Sequence, residues 1–178
     1  MQLCKLGTAA VTFCYFLQKS RKLKPLHALL FSMMYAMMAY AITQLIDPMW
    51  LDGLVFLPLI CLGVEYLIDD GRKINYIIPL ALMCFANFYI GFMICIFTAL
   101  YFAYYLFAGS DKLKHFRMKS KDLKAYGYSI LRMFLCTVVA LMMAAVLILP
   151  IYNALALGKF NFTANPDYSF KLQFTPID

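Results

Sequence analysis

The chain has 178 residues, of which 64% are hydrophobic and only 14% are charged, and its mean hydropathy is +0.75. These values lie outside the range of soluble globular domains and predict an integral membrane protein. The net charge of +7 would suit a nucleic-acid partner, but the basic residues alternate with apolar segments. That alternation is typical of membrane loops, so no nucleic-acid partner is expected.

Five apolar stretches follow one another along the chain. They cover residues 1–18, 26–46, 51–68, 74–108 and 129–155. Most have the ~20 residues that a helix needs to cross the bilayer core. The first contains Lys5 and lacks a clear cleavage site for a signal peptidase, so it is predicted to be a span. The fourth would form a helix of about 52 Å against a core of about 30 Å, which predicts two short helices at about 74–86 and 90–108.

The loop charges support this division. Four Lys or Arg residues lie in 19–24, two in 72–73 and six in 112–124, so that with Arg132 they make up 13 of the 16 basic residues. The positive-inside rule places such loops in the cytoplasm, and the chain must then cross twice between Lys73 and Lys112. The expected fold is therefore an all-α polytopic bundle of about six membrane-crossing helices, two of them short. The alternative is one long tilted helix, which would place the largest basic loop outside.

This order of crossings starts and ends outside the membrane. It places the segments 47–53 and 86–91 on the extracytoplasmic side. The basic loop 109–128 lies inside, where it sets the orientation and meets anionic lipid head groups. Residues 1–155 are the expected transmembrane region. The polar and aromatic residues 156–178 begin an extracytoplasmic segment.

The segment "DPMWLDG", residues 47–53, combines two carboxylates, a proline and the only tryptophan of the chain. The simpler interpretation is a solvated turn in which Pro48 ends a helix and Trp50 anchors at the membrane interface. The functional interpretation is that a carboxylate at the outer membrane edge binds a divalent metal or accepts a proton from an attacking hydroxyl. The spacing alone favours the simpler interpretation.

Other chemically active side chains give weaker signals. The six cysteines all lie in apolar runs without a CxxC pair, and His27 and His115 are separated by spans, so neither type predicts a metal or redox centre. Glu65 is placed near the cytoplasmic end of its span, where a carboxylate is expected to reach the interface or to pair locally.

Three stretches resemble the YfhO family of bacterial polytopic membrane proteins: residues 28–73, 86–107 and 144–155. The most specific parts are "MWLDGLVFLPLI" and "NFYIGFM", and the resemblance covers nearly the whole chain. The family is similar to the GT-C glycosyltransferases, which transfer a sugar from a polyprenyl-phosphate carrier to an acceptor outside the membrane. YfhO relatives are linked to glycosylation of lipoteichoic acid or other cell-wall polymers. The resemblance thus implies a GT-C-like fold in a bacterial cell membrane, with the lipid bilayer, a polyprenyl-phosphate sugar and a cell-wall polymer as partners.

The resemblance also implies roles for individual residues. Asp52 and Asp47 become the candidate catalytic carboxylates, with Asp52 as the candidate ligand of a divalent metal, which is the only cofactor implied. Asn87, Tyr89 and Trp50 become the candidate substrate-binding residues.

The resemblance further implies that the chain is incomplete. In GT-C enzymes the first long external loop carries a principal catalytic Asp, and the segment 47–53 matches the second external loop. The chain is therefore expected to be a fragment that is inactive by itself. Two other functions remain open: a non-catalytic membrane remnant, and a transporter or permease subunit. A transporter would place charges deep in several spans, and only Glu65 and Arg132 approach such positions.

Overall fold

The computed structural model describes residues 2–106 and 123–154, and within them the chain is helical and contains no strand. The prediction of an all-α fold is confirmed. The seven α-helices and one short 3-10 helix are α1 (Gln2–Ser20), α2 (Pro25–Ala36), α3 (Ala39–Thr43), the 3-10 helix (Pro48–Trp50), α4 (Leu51–Asp69), α5 (Ile74–Ala86), α6 (Phe88–Tyr104) and α7 (Leu123–Ala154). The tail 156–178 lies outside the described residues, and so does most of the expected basic loop 109–128.

The chain divides into two compact units, Met1–Ala145 and Val146–Asp178. In the first unit α4 is central and packs against α1, α5 and α6. A buried apolar cluster joins α1, α3 and α4 through Ala9, Ala41, Leu51 and Leu54. The described part of the second unit consists of the last residues of α7.

The stretch 26–46, predicted to be one helix, is interrupted. Helix α2 ends at Ala36, and Met38 has an extended backbone (φ −64°, ψ 154°) before α3 begins. The sequence has neither glycine nor proline at this point, so the break does not come from local propensity. Packing accounts for it better, because Ala41 of α3 is fully buried in the cluster with α1 and α4.

The stretch 74–108 is also divided, as the sequence predicted. Helix α5 ends at Ala86 and α6 begins at Phe88, with Asn87 between them in an extended conformation (φ −152°, ψ 103°). The Asn87 side chain accepts a hydrogen bond from the Ile90 backbone N–H at 3.2 Å. This bond satisfies one of the free donors at the start of α6.

Within residues 2–106 and 123–154, two helices are long and apolar enough to cross a membrane: α4, and α7 over Gly127–Leu147. Helices α2, α5 and α6 are apolar but shorter. Only 22% of the α7 window is buried within the protein. Large apolar side chains such as Phe92, Leu100 and Met142 are at least 60% exposed, and a surface of this kind requires an apolar surrounding.

Contacts between helix termini define two ends of the first unit. At the Asp47 end, Gln2 of α1 donates to the Leu45 carbonyl at 2.6 Å, and Asn87 donates to the Met49 carbonyl at 3.3 Å. At the Glu65 end, Ser20 and Tyr101 both contact Glu65. Helices α1, α4 and α6 therefore run from the Asp47 end to the Glu65 end, and α2 and α5 run in the opposite direction.

Candidate functional site

The segment 47–53 forms a compact turn at the Asp47 end. The Asp47 N–H donates to the Gln44 carbonyl at 3.1 Å, and the Trp50 N–H donates to the Asp47 carbonyl at 3.3 Å. The 3-10 helix Pro48–Trp50 then leads directly into α4. Proline suits this entry, because it has no N–H to satisfy and its φ is already helical.

Asp47 has a local partner in this turn. Its Oδ2 accepts a hydrogen bond from the indole Nε1–H of Trp50 at 2.9 Å. The carboxylate therefore holds the tryptophan ring in place. This contact fits the simpler interpretation of Asp47 as a turn residue.

Asp52 has a distant partner that the sequence did not suggest. It lies in the first turn of α4, where a negative charge is favourable, and its Oδ1 is 2.7 Å from the ammonium of Lys5 on α1. Both side chains are partly accessible, at 19% and 22%. The lysine lies 47 positions earlier in the chain, so only the packing of α1 against α4 brings the pair together.

The segments around Asp47 and Asn87, both predicted to lie outside the membrane, meet in the structure. Besides the bond from Asn87 to the Met49 carbonyl, the rings of Trp50 and Tyr89 form an edge-on pair with centroids 5.7 Å apart. The Asn87 amide is thus engaged on both its oxygen and its nitrogen. The Tyr89 side chain is 57% exposed and is more accessible to a ligand.

The described residues do not provide a metal site at Asp52. No group of three or more His, Cys, Asp or Glu side chains comes together within 2–106 and 123–154. The neighbour of the Asp52 carboxylate is a cation, and Asp47 is directed to Trp50. This donor set does not fit Ca²⁺, which takes six to eight oxygen ligands, and Mg²⁺ would need water or substrate phosphate oxygens besides Asp52. A metal bound by Asp52 stays a prediction that needs further ligands.

A second polar cluster, at the Glu65 end, was not recognised as a site from the sequence. Glu65 is only 4% exposed. Its Oε1 accepts hydrogen bonds from Tyr101 at 2.6 Å and from Ser20 at 2.7 Å, and Arg21 lies 4.0 Å away. The expectation that Glu65 reaches the interface or pairs locally is met by pairing, with Ser20, Tyr101 and Arg21. The signal in the sequence that could have indicated this cluster is an ionisable residue, Glu65, within an apolar helix.

The helices that the structure describes, two of them of membrane-spanning length, and their exposed apolar surface agree with a helical membrane protein. The model of the family described as Bacterial membrane protein YfhO matches residues 1–178. The chain belongs to this family of bacterial membrane proteins. No curated protein and no solved structure matches the chain.

Proposed function

We propose that the chain is part of a membrane glycosyltransferase. The complete protein would transfer a sugar from a polyprenyl-phosphate carrier to an extracytoplasmic cell-wall polymer such as lipoteichoic acid. Family membership supports the proposal. The observation that carries it is the grouping at the Asp47 end: a partly exposed Asp52 carboxylate beside Lys5, at the same end of the helices as Trp50 and Tyr89.

The proposal includes a topology of six crossings, with the Asp47 end outside and residues 1–155 as the transmembrane region. The alternating directions of α1, α2, α4, α5 and α6 support it. The basic loops at 19–24 and 72–73 both follow helices that end at the Glu65 end. This distribution agrees with a cytoplasmic Glu65 end. Residues 156–178 would then begin the extracytoplasmic segment.

The proposed reaction needs a base for the acceptor hydroxyl and a cation that offsets the negative charge of the departing phosphate. An acceptor hydroxyl loses its proton to a carboxylate, its oxygen bonds to the anomeric carbon, and the bond from that carbon to the carrier phosphate breaks with its electron pair on the phosphate. Asp52 is the candidate base. Lys5, 2.7 Å from that carboxylate, is the candidate cation for the departing phosphate.

The neighbouring residues have supporting roles in this proposal. Tyr89, which is 57% exposed, is the candidate to hydrogen-bond the sugar through its hydroxyl, and the Trp50 ring beside it offers an apolar face. Asn87 holds the two segments together rather than contacting the substrate, since both ends of its amide are engaged. Asp47 fixes Trp50.

The test compares Asp52→Asn with Asp47→Asn, each introduced into the native gene. Asparagine in the first turn of α4 keeps the shape of the side chain but cannot take up the proton. We expect Asp52→Asn to reduce wall-polymer glycosylation about 100-fold or more, the usual contribution of a general base. Asp47→Asn retains an acceptor oxygen for Trp50 and should stay within a few fold of the wild type.

Glycosylation is measured on purified wall polymer from cells with equal membrane levels of each protein. Wild-type glycosylation in the Asp52→Asn cells would leave that carboxylate as a structural partner of Lys5 and would refute the assigned base. Equal losses in both variants would indicate that the turn, rather than the charge at position 52, is required.

A further inference from the structure

Helices α5 and α7 enclose a lateral groove towards the Glu65 end. Its volume is about 170 Å³, and its apolar wall is formed by Ile77, Leu131, Leu135 and Val139. The two helices are tied together beside it by a hydrogen bond of 2.9 Å between the hydroxyls of Tyr76 and Thr137. A polar contact thus joins the two helices that form the groove.

Two cations line the same groove, Lys73 from the start of α5 and Arg132 from α7. The Arg132 guanidinium lies over the Tyr128 ring, 5.8 Å from its centroid. Its Nε is buried and has no hydrogen-bond partner among the residues that the structure describes. Within the same residues, neither cation has a carboxylate within 4.0 Å.

The described residues offer no acceptor to the buried Nε–H of Arg132. A buried N–H that has lost water and gained no partner costs about 1–3 kcal/mol, and more when the group is charged. An anionic oxygen between Lys73 and Arg132 would satisfy the Nε donor and both charges. Arginine suits phosphate in particular, because its planar fork can donate two parallel hydrogen bonds.

We propose that this groove binds an anionic phospholipid, with its phosphate between Lys73 and Arg132 and part of one acyl chain along the apolar wall. A soluble anion would leave that wall unused, whereas a lipid uses both the charges and the wall. The volume is below the ~300–1,000 Å³ of pockets for whole small ligands, which suits one chain segment entering from the bilayer. The site depends neither on the proposed sugar transfer nor on which leaflet lies at the Glu65 end.

A neighbouring groove, lined by Tyr15 and Tyr66, is a poorer candidate. No Lys or Arg lines it among the described residues, and Arg72, which packs on the Tyr66 ring, lies 3.9 Å from the Asp70 carboxylate. The positive charge is thus already partly neutralised there. Between these two grooves, charge complementarity favours an anion in the one between α5 and α7.

The test is native mass spectrometry of the full chain in detergent, titrated with dioleoyl phosphatidylglycerol or dioleoyl phosphatidylcholine. The two lipids share acyl chains and a phosphate but differ in net charge. We expect phosphatidylglycerol to bind several-fold more tightly.

A Lys73→Gln/Arg132→Gln variant should lose about tenfold or more of that affinity, since each basic residue near a membrane surface contributes about fivefold. The matched control is Lys22→Gln/Lys24→Gln, which removes two exposed charges outside the groove and should bind like the wild type.

Two further measurements keep the test decisive if the double variant does not fold. Arg132→Lys retains the charge but lacks the Nε donor and should bind phosphatidylglycerol with intermediate affinity. Leu135→Trp fills the apolar wall without changing a charge and should weaken binding of the lipid but not of inorganic phosphate. Equal binding of the two lipids by the wild type would overturn the proposal, as would wild-type affinity in both Arg132→Lys and Leu135→Trp.

Discussion

Asp47 and Asp52 belong to one short segment but depend on different parts of the chain. The Asp47 partner, Trp50, is three residues away, so the turn that they form was predictable from the sequence. The Asp52 partner is Lys5 on another helix. That contact depends on how α1 packs against α4, which no local pattern specifies. The turn could thus be predicted from the sequence, whereas the charge balance of the candidate site could not.

The contact between Asp47 and Trp50 predicts a spectroscopic difference. Trp50 is the only tryptophan, so the fluorescence of the purified protein reports this segment alone. Asp47→Ala removes the acceptor of the indole N–H and should release the ring, which increases quenching by acrylamide. Asp52→Ala leaves that hydrogen bond intact and serves as the control. Unchanged quenching in Asp47→Ala would show that the Tyr89 ring alone holds the indole.

The Glu65 cluster predicts a loss of stability when one hydroxyl is removed. Tyr101→Phe deletes a 2.6 Å hydrogen bond to a carboxylate that is 4% exposed. Hydrogen bonds to charged groups contribute about 1.5–3 kcal/mol, which corresponds to a fall of roughly 3–12 °C in the unfolding temperature.

The control for Tyr101→Phe is the same change on the same helix at Tyr104, which is 59% exposed. Both variants are compared by thermal unfolding in one detergent. Equal unfolding temperatures for the Tyr101→Phe and Tyr104→Phe variants would mean that Ser20 and Arg21 suffice to stabilise the Glu65 carboxylate.

The helices themselves illustrate which breaks a sequence can reveal. The break at Asn87 was predictable, because a polar residue interrupts an apolar run that is too long for one crossing. The break at Met37 and Met38 occurs inside an uninterrupted apolar stretch. It places Ala41 in a cluster with Ala9, Leu51 and Leu54, and such packing depends on residues far apart in the chain.

Packing between α4 and α5 depends on the absence of a side chain at Gly63. A Cβ at this position would lie 2.5 Å from the Asn75 carbonyl oxygen and 2.7 Å from the Tyr76 Cα. Since backbone atoms cannot move aside as a flexible side chain can, Gly63→Ala must separate the helices. We expect a destabilisation of about 1–3 kcal/mol, the usual cost of overpacking, measured as a lower unfolding temperature in detergent.

Gly7→Ala on α1 is the matched control for Gly63→Ala. Nothing lies within 4 Å of a Cβ at Gly7. Alanine is the better helix former, so the change should be neutral or stabilising by up to about 1 kcal/mol. Equal effects at the two glycines would contradict the close approach of α4 and α5.

At the scale of the whole molecule, two separate observations support the proposed topology: the helix directions and the loop charges. The sequence predicted that the segments 47–53 and 86–91 lie on one side of the membrane. In the structure they meet through Asn87 and Met49, and through Trp50 and Tyr89. The direction of α7 agrees as well. Arg132 lies near Gly71 at the Glu65 end, and Thr137 bonds to Tyr76 one turn into α5, so α7 runs in the same direction as α5.

The proposed topology is tested by labelling single cysteines in intact cells, in a variant whose six native cysteines are replaced by alanine. Met49 is 55% exposed at the Asp47 end, and Ser120 lies in the basic stretch 112–124. A membrane-impermeant maleimide should label Met49→Cys but not Ser120→Cys, since two crossings between Lys73 and Lys112 return the chain to the cytoplasm. Lys22→Cys, in the first basic loop, should also stay unlabelled until the cells are opened. Labelling of Ser120→Cys from outside, with Lys22→Cys protected, would mean that α5 and α6 together cross the membrane once.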